Sequence, residues 1–434
     1  LGDVGQAEAL LLQAEAHLLS KMPDATGSAV AAAEEAVASC SEGEARLGAW
    51  AQLQVGSGYL AEGRHEEALR AAQEAKAAFQ KLGSSEGQAA SLIEVCIPAL
   101  LAASGSAGGE SPLGAALEAR SIAREAKDSR LEALALRSLA AVQLHMGQAA
   151  ESLVSFGEAL SLFRCLDRDR QAEAATQRAA VEAHLAAGDL DGALEAEREA
   201  LRLFRDLRDS SAEASSLRGL AELHVGRGQL KEASEAAEAA RELLQELRDW
   251  QAELEVLERL IFTLKGQGAL DKALRAAQRC LVLRRERGRS EAPEVARALC
   301  TIAGLRISLS QVEEAVEAGR AAEAIFKRLG DQKGEADVLL DIVARVELLK
   351  GEPDLAVLAA EQAAALSKAA GDAISEAKAL EVAASQYVAT ARHAEALRLL
   401  GEAAGRFRSA GEQLAECRML TVAVDAHLAA GHAA

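Results

Sequence analysis

The sequence predicts an all-α protein, a right-handed α-solenoid built of about ten stacked pairs of antiparallel helices. Three observations support this fold class. A segment of about 40 residues recurs along the 434-residue chain, as in a repeat array. Apolar residues within each repeat follow helical spacing. Aromatic residues, which favour strands, make up only 3% of the chain.

The repeat is defined by a glycine that is followed five residues later by an alanine. The clear copies are Gly63/Ala68, Gly188/Ala193, Gly228/Ala233, Gly268/Ala273 and Gly351/Ala356, and the weaker copies are Gly147/Ser152, Ser310/Ala315 and Ala391/Ala396. From position 152 onward the second residue recurs every 40 to 42 residues, and the longer interval before it contains one more repeat, near Ala116, with an insertion. A phenylalanine follows eleven residues later at Phe79, Phe163, Phe204, Phe326 and Phe407. A large residue at a fixed distance from a small one indicates a repeated packing pattern.

Each repeat is predicted to form two helices. The segments 171–187 and 191–207 both place apolar residues with a period of 3.6. Gly188 between them suits the left-handed position that ends many helices. The small residue at the start of the second helix lets the two helices approach closely. Polar residues expected to cap the first helices occur at Asp209-Ser210, Asp331 and Asp372.

Composition and charge exclude several classes of protein. Hydrophobic residues make up 50% of the chain, which is too apolar for intrinsic disorder. No apolar stretch reaches the ~18 residues of a membrane helix, so no membrane insertion is expected. The net charge of 48 − 67 = −19 argues against nucleic acid as a partner, because phosphates require basic patches. No signal peptide opens the chain, which favours a cytoplasmic protein, and the first residue, Leu1, suggests a fragment or a processed product.

Several segments depart from the regular repeat. Residues 1–42 are predicted to form an atypical first repeat. Residues 104–112 (SGSAGGESP) predict an inserted loop, with a contact or cleavage site as the alternative. Pro98 lies inside the preceding helix and should kink it. Residues 413–430 predict a lone final helix, which is either a cap on the array or part of a truncated repeat.

The best copy of the repeat reads Val55-Gly56-x-x-Tyr59, followed by Gly63, Ala68 and Ala75. This pattern resembles the tetratricopeptide repeat (TPR), and the resemblance covers nearly the whole chain. The period of about 40 residues, rather than ~34, resembles the longer-helix subclass of kinesin light chains and Pins-type adaptors. The resemblance implies a single solenoid over residues 1–434, with the first helices of the repeats lining a concave groove that binds protein segments.

The resemblance also implies which residues face the groove. With the glycine of each pair counted as the fifteenth residue of its repeat, the fifth and ninth residues are usually exposed there. The fifth residue is an arginine in three consecutive repeats, at Arg137, Arg178 and Arg218. Because arginine matches a carboxylate or phosphate with two hydrogen bonds, this row predicts an acidic protein or peptide segment as the partner. The ninth residues include Glu182, Glu222, Phe262 and Arg345.

These assignments have alternatives. Arg178 and Arg218 each precede a glutamate by four residues, and such surface pairs are worth only ~0.2–0.5 kcal/mol. Arg137 has alanines at those distances. Phe262 is either an exposed aromatic anchor or a core residue whose register is shifted by one. Asn is absent from the chain, which excludes the Asn ladder of the longer subclass and argues against a receptor for heat-shock chaperone tails.

The sequence gives no indication of a metal, nucleotide or redox site. The eight histidines include no i, i+4 pair and no HExxH, and there is no GxxxxGK[ST] loop. The six cysteines are scattered without a CxxC motif. We therefore expect no enzymatic activity, no cofactor and no metal.

Three functions remain open at this point. The first is an adaptor that captures a partner segment in its concave groove. The second is an architectural subunit of a large assembly that packs through its edges and convex face. The third is a small-ligand sensor, as in solenoid regions of some bacterial transcription activators, which would need an aromatic cluster that this sequence lacks. The polar and aromatic residues of the middle repeats favour the first function.

Overall fold

The structure, a computed structural model, describes residues 3–19, 25–40, 44–103, 111–166, 169–287, 292–429 and 431. These residues form helices and the turns that connect them, as the sequence predicts. The chain divides into two compact units, Leu1–Leu223 and His224–Ala434, and the division falls within the helix α12 (Ser210–Gly226).

The N-terminal unit contains α1 (Asp3–Leu19), α2 (Ala25–Ser39), α3 (Ala45–Ala61), α4 (His65–Lys81), α5 (Ser85–Ala90), α6 (Ile97–Ala102), α7 (Pro112–Glu125), α8 (Ser129–His145), α9 (Ala149–Cys165), α10 (Arg170–Ala186) and α11 (Leu190–Leu207). The C-terminal unit contains α13 (Leu230–Glu246), α14 (Trp250–Gly266), α15 (Leu270–Arg287), α16 (Pro293–Ser308), α17 (Val312–Leu329), α18 (Gln332–Val338), α19 (Arg345–Lys350), α20 (Pro353–Ala369), α21 (Ala373–Ala389), α22 (His393–Ser409) and α23 (Gln413–Ala429).

Within each unit, helices that follow one another in the chain pack against each other as pairs, for example α8 with α9, α10 with α11, and α16 with α17. Pairs also stack on the next pair, as α9 does on α10 and α15 on α16. The predicted all-α stack of helix pairs is therefore confirmed. We call the helices α3, α8, α10, α12, α14, α16 and α21 first helices, and α4, α9, α11, α13, α15, α17, α20 and α22 second helices.

The turn inside each pair is the left-handed one that the glycine pattern predicts. Gly188 has a φ of +75°, and the N–H of Asp189 donates to the carbonyl of His184 at 2.8 Å. The same conformation recurs at Gly63, Gly147, Gly228, Gly268 and Gly351. Ser310 and Ala391, at the weaker copies, also have positive φ. The weaker copies thus keep the turn, although this conformation costs a residue with a Cβ about 1–2 kcal/mol.

The small residue and the phenylalanine of the repeat form the core. The alanine of each glycine–alanine pair is fully buried, as at Ala68, Ala193, Ala273 and Ala356. The repeat phenylalanines are buried as well, at Phe79, Phe163, Phe204, Phe326 and Phe407. At two places the ring lies on a glycine of the next helix. Gly87 under Phe79 and Gly334 under Phe326 leave no room for a Cβ. The repeated packing pattern is therefore confirmed.

Aspartates cap the first helices as expected. The Oδ1 atoms of Asp209, Asp331 and Asp372 accept hydrogen bonds at 2.9–3.0 Å from the amide three residues later. Around Pro98 the prediction needs a refinement. The helix continues through the proline, but the segment Ser91–Cys96 just before it is π-helical. Proline lacks an amide hydrogen and donates no helical hydrogen bond, and the helix widens just before it where a kink was predicted.

The irregular segments are placed as follows. Residues 3–19 and 25–39 of the first repeat form α1 and α2, which pack on each other. Residues 104–110 of the inserted segment lie outside the described residues, and the hydroxyl of Ser111 accepts a hydrogen bond from Gly114 N at 2.9 Å to cap α7. The final helix α23 packs on α22, and three of its apolar residues, Leu420, Val424 and Leu428, are exposed.

Candidate interaction surfaces

Arg137 is a half-buried cation on α8. Burial lowers the pKa of its guanidinium, and the negative charge of Asp169 opposes that shift. Asp169 is itself bound to Arg130 at 2.5 Å. Within the described part of the chain, no hydrogen bond or ion pair reaches the Arg137 guanidinium. The residue is therefore less exposed than the sequence predicts, because its stem packs into the stack, but its charge has no direct partner.

Arg178 and Glu182 are both exposed on α10. Among the described residues they form no ion pair with each other, so the surface pair that the spacing allowed is not formed here. Burial raises the pKa of Glu197, a carboxyl on α11, and the charge of Arg178 opposes that shift. Arg218 on α12 is half-buried and Glu222 is exposed, and both interact with other residues. The three arginines thus lie on successive first helices but in unequal environments.

Glu197 is a buried carboxyl that the sequence did not single out. Its side chain is only 3% exposed, and its Oε1 atom has no hydrogen-bond partner among the described residues. Burial raises the pKa of this carboxyl, against the smaller lowering effects of the Ser216 hydroxyl and Arg178. Gly219 on α12 makes room for it, because a Cβ there would lie 3.0 Å from Glu197 Cδ. The repeat pattern could have identified Glu197, because the same repeat position holds a small alanine elsewhere, at Ala72, Ala237, Ala277 and Ala360.

Phe262 is the most exposed aromatic side chain among the described residues. It lies on the first helix α14 and is 70% exposed, so the exposed register is correct and the core alternative is wrong. It lines a pocket of about 410 Å³ between α14 and α16, with α15 beneath. The pocket is lined by Glu258, Ile261, Phe262, Lys265, Ala277, Cys280, Arg284, Arg297, Ala298 and Thr301.

Three cations line the same pocket as the exposed ring of Phe262. Arg284 is held in place by an ion pair with Glu258 and by a 2.7 Å hydrogen bond to the carbonyl of Glu294. Lys265 and Arg297 are exposed, and neither makes a hydrogen bond or ion pair through its side-chain nitrogens within the described ranges. The pocket therefore combines an aromatic surface with two uncommitted positive charges. Arg284, Lys265 and Arg297 were not singled out from the sequence, because they come from three different helices.

Other expected groove positions differ from the prediction. Leu53, at the fifth position of its repeat, is 1% exposed and belongs to the core of the N-terminal unit. Arg345 is exposed on α19, directly after the π-helical segment Leu339–Ala344, and does not line the Phe262 pocket. Exposure on the first helices is thus set by local packing as well as by repeat position.

In the described ranges, no group of three or more His, Cys, Asp or Glu side chains is arranged to hold a metal ion. Residues 83–87 match the GxSxG pattern of hydrolases, with Ser85 as its serine, but Ser85 is the first residue of α5 and follows a turn between two helices. The hydrolase motif requires a strand before the serine. None of the described helices has both the length and the apolar character needed to cross a bilayer.

Comparisons with known proteins agree with the fold. Neither a protein-family model nor a curated protein matches the sequence. Among solved structures, a putative kinesin light chain of Podosopora anserina with nearly identical TPR-like repeats is 20% identical, over 46% of this chain and 97% of that one, with a TM-score of 0.38.

A STAND protein with a tetratricopeptide repeat sensor from Pyrococcus horikoshii is 15% identical over 75% of this chain and 53% of that one, with a TM-score of 0.47. Aspartyl phosphate phosphatase F of Bacillus subtilis is 14% identical over 82% and 92%, with a TM-score of 0.40. The structural neighbours thus include TPR-repeat proteins, and the likeness concerns the helical-repeat fold alone.

Proposed function

We propose that this chain is a non-enzymatic scaffold that binds a segment of a partner protein on the face formed by its first helices. The observation that supports this function best is Phe262, which keeps 70% of its side chain exposed inside a pocket. Burying an aromatic ring is among the largest contributions to binding energy at protein interfaces. The partner segment that fits carries an apolar side chain for the ring and carboxylates for Lys265 and Arg297.

The N-terminal unit offers a second contact of the same kind. Arg137, Arg178 and Arg218 lie on successive first helices, and the half-buried Arg137 lacks a direct ion pair among the described residues. A half-buried guanidinium attracts a carboxylate more strongly than a fully solvated guanidinium does, because partial burial reduces the screening by water. An acidic segment is therefore the partner that both units favour.

Peptide selection followed by affinity measurement tests the Phe262 pocket. Peptides that bind the wild-type chain are selected from a random library, and their Kd values are compared by calorimetry for wild type and Phe262→Ala. Loss of an aromatic anchor should weaken binding about 30-fold, equivalent to ~2 kcal/mol. Leu358→Ala is the matched control, since Leu358 is 51% exposed on the second helix α20 of the same unit. Equal affinity of Phe262→Ala and wild type for every selected peptide would contradict the proposal.

The arginine contact is tested separately. A variant carrying Arg137→Met, Arg178→Ala and Arg218→Ala should keep its helicity and melting temperature nearly unchanged while it loses affinity for acidic peptides. Methionine at 137 preserves the packing of the aliphatic stem and removes only the charge. Unchanged affinity for acidic peptides would remove these arginines from the binding surface.

One observation favours the alternative role as an architectural subunit. The helix α23 exposes Leu420, Val424 and Leu428, which recur at helical spacing on one face. Such a stripe is typical of a surface that another protein covers. In an assembly held by this face, Val424→Glu should release the chain from its native complex on size-exclusion chromatography, whereas Phe262→Ala should not. Retention of Val424→Glu in the complex would speak against this role.

A further inference from the structure

Two grooves on the second helices are built in the same way, one in each compact unit. In the N-terminal unit a groove of about 310 Å³ lies between α2 and α4, over α3. In the C-terminal unit a groove of about 530 Å³ lies between α13 and α15, over α14. We call them the acidic groove and the basic groove. The acidic groove is lined by Glu34, Val37, Gln52, Val55, Tyr59, Glu67, Arg70, Ala71 and Glu74, and the basic groove by Glu238, Arg241, Gln245, Leu257, Leu260, Leu264, Lys272, Arg275, Ala276 and Arg279.

The two grooves use equivalent positions, and two of the four positions carry opposite charges. Counted from the repeat alanine, Ala68 or Ala273, the lining residues of α4 and α15 fall at −1, +2, +3 and +6. These positions hold Glu67, Arg70, Ala71 and Glu74 in the acidic groove, and Lys272, Arg275, Ala276 and Arg279 in the basic groove. One groove therefore has three acids and one cation, whereas the other has four cations and one acid. The repeat supplies a common shape, and the side chains at its rim set the sign of the charge.

Three of the four cations of the basic groove are paired with carboxylates, among them Arg241 with Glu242 at 3.5 Å. Arg279 Nε and Nη2 bind the buried carboxyl of Glu253 at 2.8 and 3.1 Å. Lys272 pairs with Glu238 at 3.5 Å. Arg275 is exposed, and its guanidinium makes no hydrogen bond or ion pair with any residue that the structure describes. Beneath these cations lie Leu257, Leu260 and Leu264, which are only 1–3% exposed.

From this geometry we propose that the basic groove docks an acidic amphipathic helix of a partner protein. A groove between two parallel ridges of helix side chains accepts a third helix, and the aliphatic stems of the exposed Lys272 and Arg275 can pack on apolar side chains of that helix. The chain as a whole carries a charge of −19, so it repels acidic partners except where cations are concentrated. The basic groove lies on second helices, with Arg275 and Arg279 turned into it, whereas Cys280 and Arg284 of the same helix line the Phe262 pocket. It is thus a second surface, independent of the proposed function.

A designed peptide tests the basic groove directly. The probe is a side-chain-stapled helix of about 18 residues, ~27 Å long, with leucine on one face and glutamate on the other. Its affinity for the full chain is measured by fluorescence anisotropy, beside a matched peptide with lysine in place of glutamate. The acidic peptide should bind at least about tenfold more tightly to wild type than to a Lys272→Glu/Arg275→Glu variant. Its affinity should also fall as salt is raised from about 0.05 M to about 0.5 M.

The equivalent residue of the acidic groove supplies the control. Arg70→Glu changes the same repeat position as Arg275→Glu, so it should leave the affinity for the acidic peptide unchanged. Helicity and melting of all variants are recorded, and the exposed positions of Arg70 and Arg275 favour intact folding. The proposal is overturned if the acidic peptide fails to bind, if both peptides bind equally, or if Arg70→Glu weakens binding as much as the double variant does. It is also overturned if sedimentation shows that the basic groove is occupied by a second copy of the chain, with the dimer lost in Lys272→Glu/Arg275→Glu.

Phe262→Ala should leave the affinity for the acidic peptide unchanged. This result separates the test of the basic groove from the test of the Phe262 pocket.

Discussion

Gly334→Ala should destabilise the C-terminal unit, although alanine is the better helix former. A Cβ at this position would lie 2.6 Å from Cε1 and 2.7 Å from Cγ of Phe326, whereas carbon atoms in ordinary contact are ~3.5–4.0 Å apart. Phe326 is 4% exposed and cannot rotate into solvent. The ring or the helix α18 must therefore move by about 1 Å, which costs roughly 1–3 kcal/mol. The higher helix propensity of alanine stabilises the helix by at most ~1 kcal/mol. We therefore expect the free energy of unfolding to fall by about 1–2 kcal/mol.

Gly405→Ala is the matched control for this prediction. Gly405 lies inside α22, where a Cβ would meet no atom within 4 Å. The same substitution should therefore stabilise α22 by up to ~1 kcal/mol. Repeat arrays can unfold locally, so the readout is amide hydrogen exchange of α17, α18 and α22, in which ~1.4 kcal/mol corresponds to a tenfold change in rate.

A double-mutant cycle then isolates the overlap. In a Phe326→Leu background the smaller side chain leaves space, and Gly334→Ala should become neutral or stabilising. The reasoning is refuted if Gly334→Ala slows exchange of α18 as Gly405→Ala does in α22, or if its cost persists unchanged in the Phe326→Leu background.

Three further predictions concern buried and capping groups. Burial raises the pKa of Glu197 in the folded state, so the wild type should lose the stability that protonated Glu197 provides as pH rises through that pKa. Glu197→Gln stays neutral and should not show this loss. Its melting temperature should therefore exceed that of the wild type at pH 7 and equal it below about pH 4. Burial raises the pKa of Cys280 to about 12, so thiol reagents should label the exposed Cys165 and Cys417 first, as seen by mass spectrometry. Asp128 Oδ1 accepts hydrogen bonds from Arg130 N and Leu131 N at 3.0 Å, so Asp128→Ala should destabilise α8 by ~1 kcal/mol in hydrogen exchange; an unchanged exchange rate would contradict the assignment of this cap.

The placement of Phe262 shows how far repeat position predicts a binding surface. Its number within the repeat predicted exposure, and the side chain is exposed. The same rule was wrong for Leu53, which is buried, whereas Arg137 is half-buried and its place in the groove stays a prediction. The rule carries information because each first helix presents the same face to the stack. It is limited because exposure also depends on the size of the side chains that the neighbouring helices contribute.

The sequence by itself determined the repeat, the helices and the turns of this protein. Helix periodicity, aspartate caps and the left-handed glycine depend on residues within one or two turns of each other, so they can be read along the chain. Even the contact of Phe326 with Gly334 spans only eight residues. These are the features for which the prediction and the structure agree.

Only the tertiary structure decided which side chains form sites. The cations around Phe262 come from α14, α15 and α16, and the buried carboxyl of Glu197 depends on Gly219 of the next helix. The charge of the basic groove likewise depends on side chains from α13 and α15 together. Such sites join residues that lie about 20 to 40 positions apart in sequence. Their distances and burial are set by how the helix pairs stack, which the spacing within one repeat does not contain.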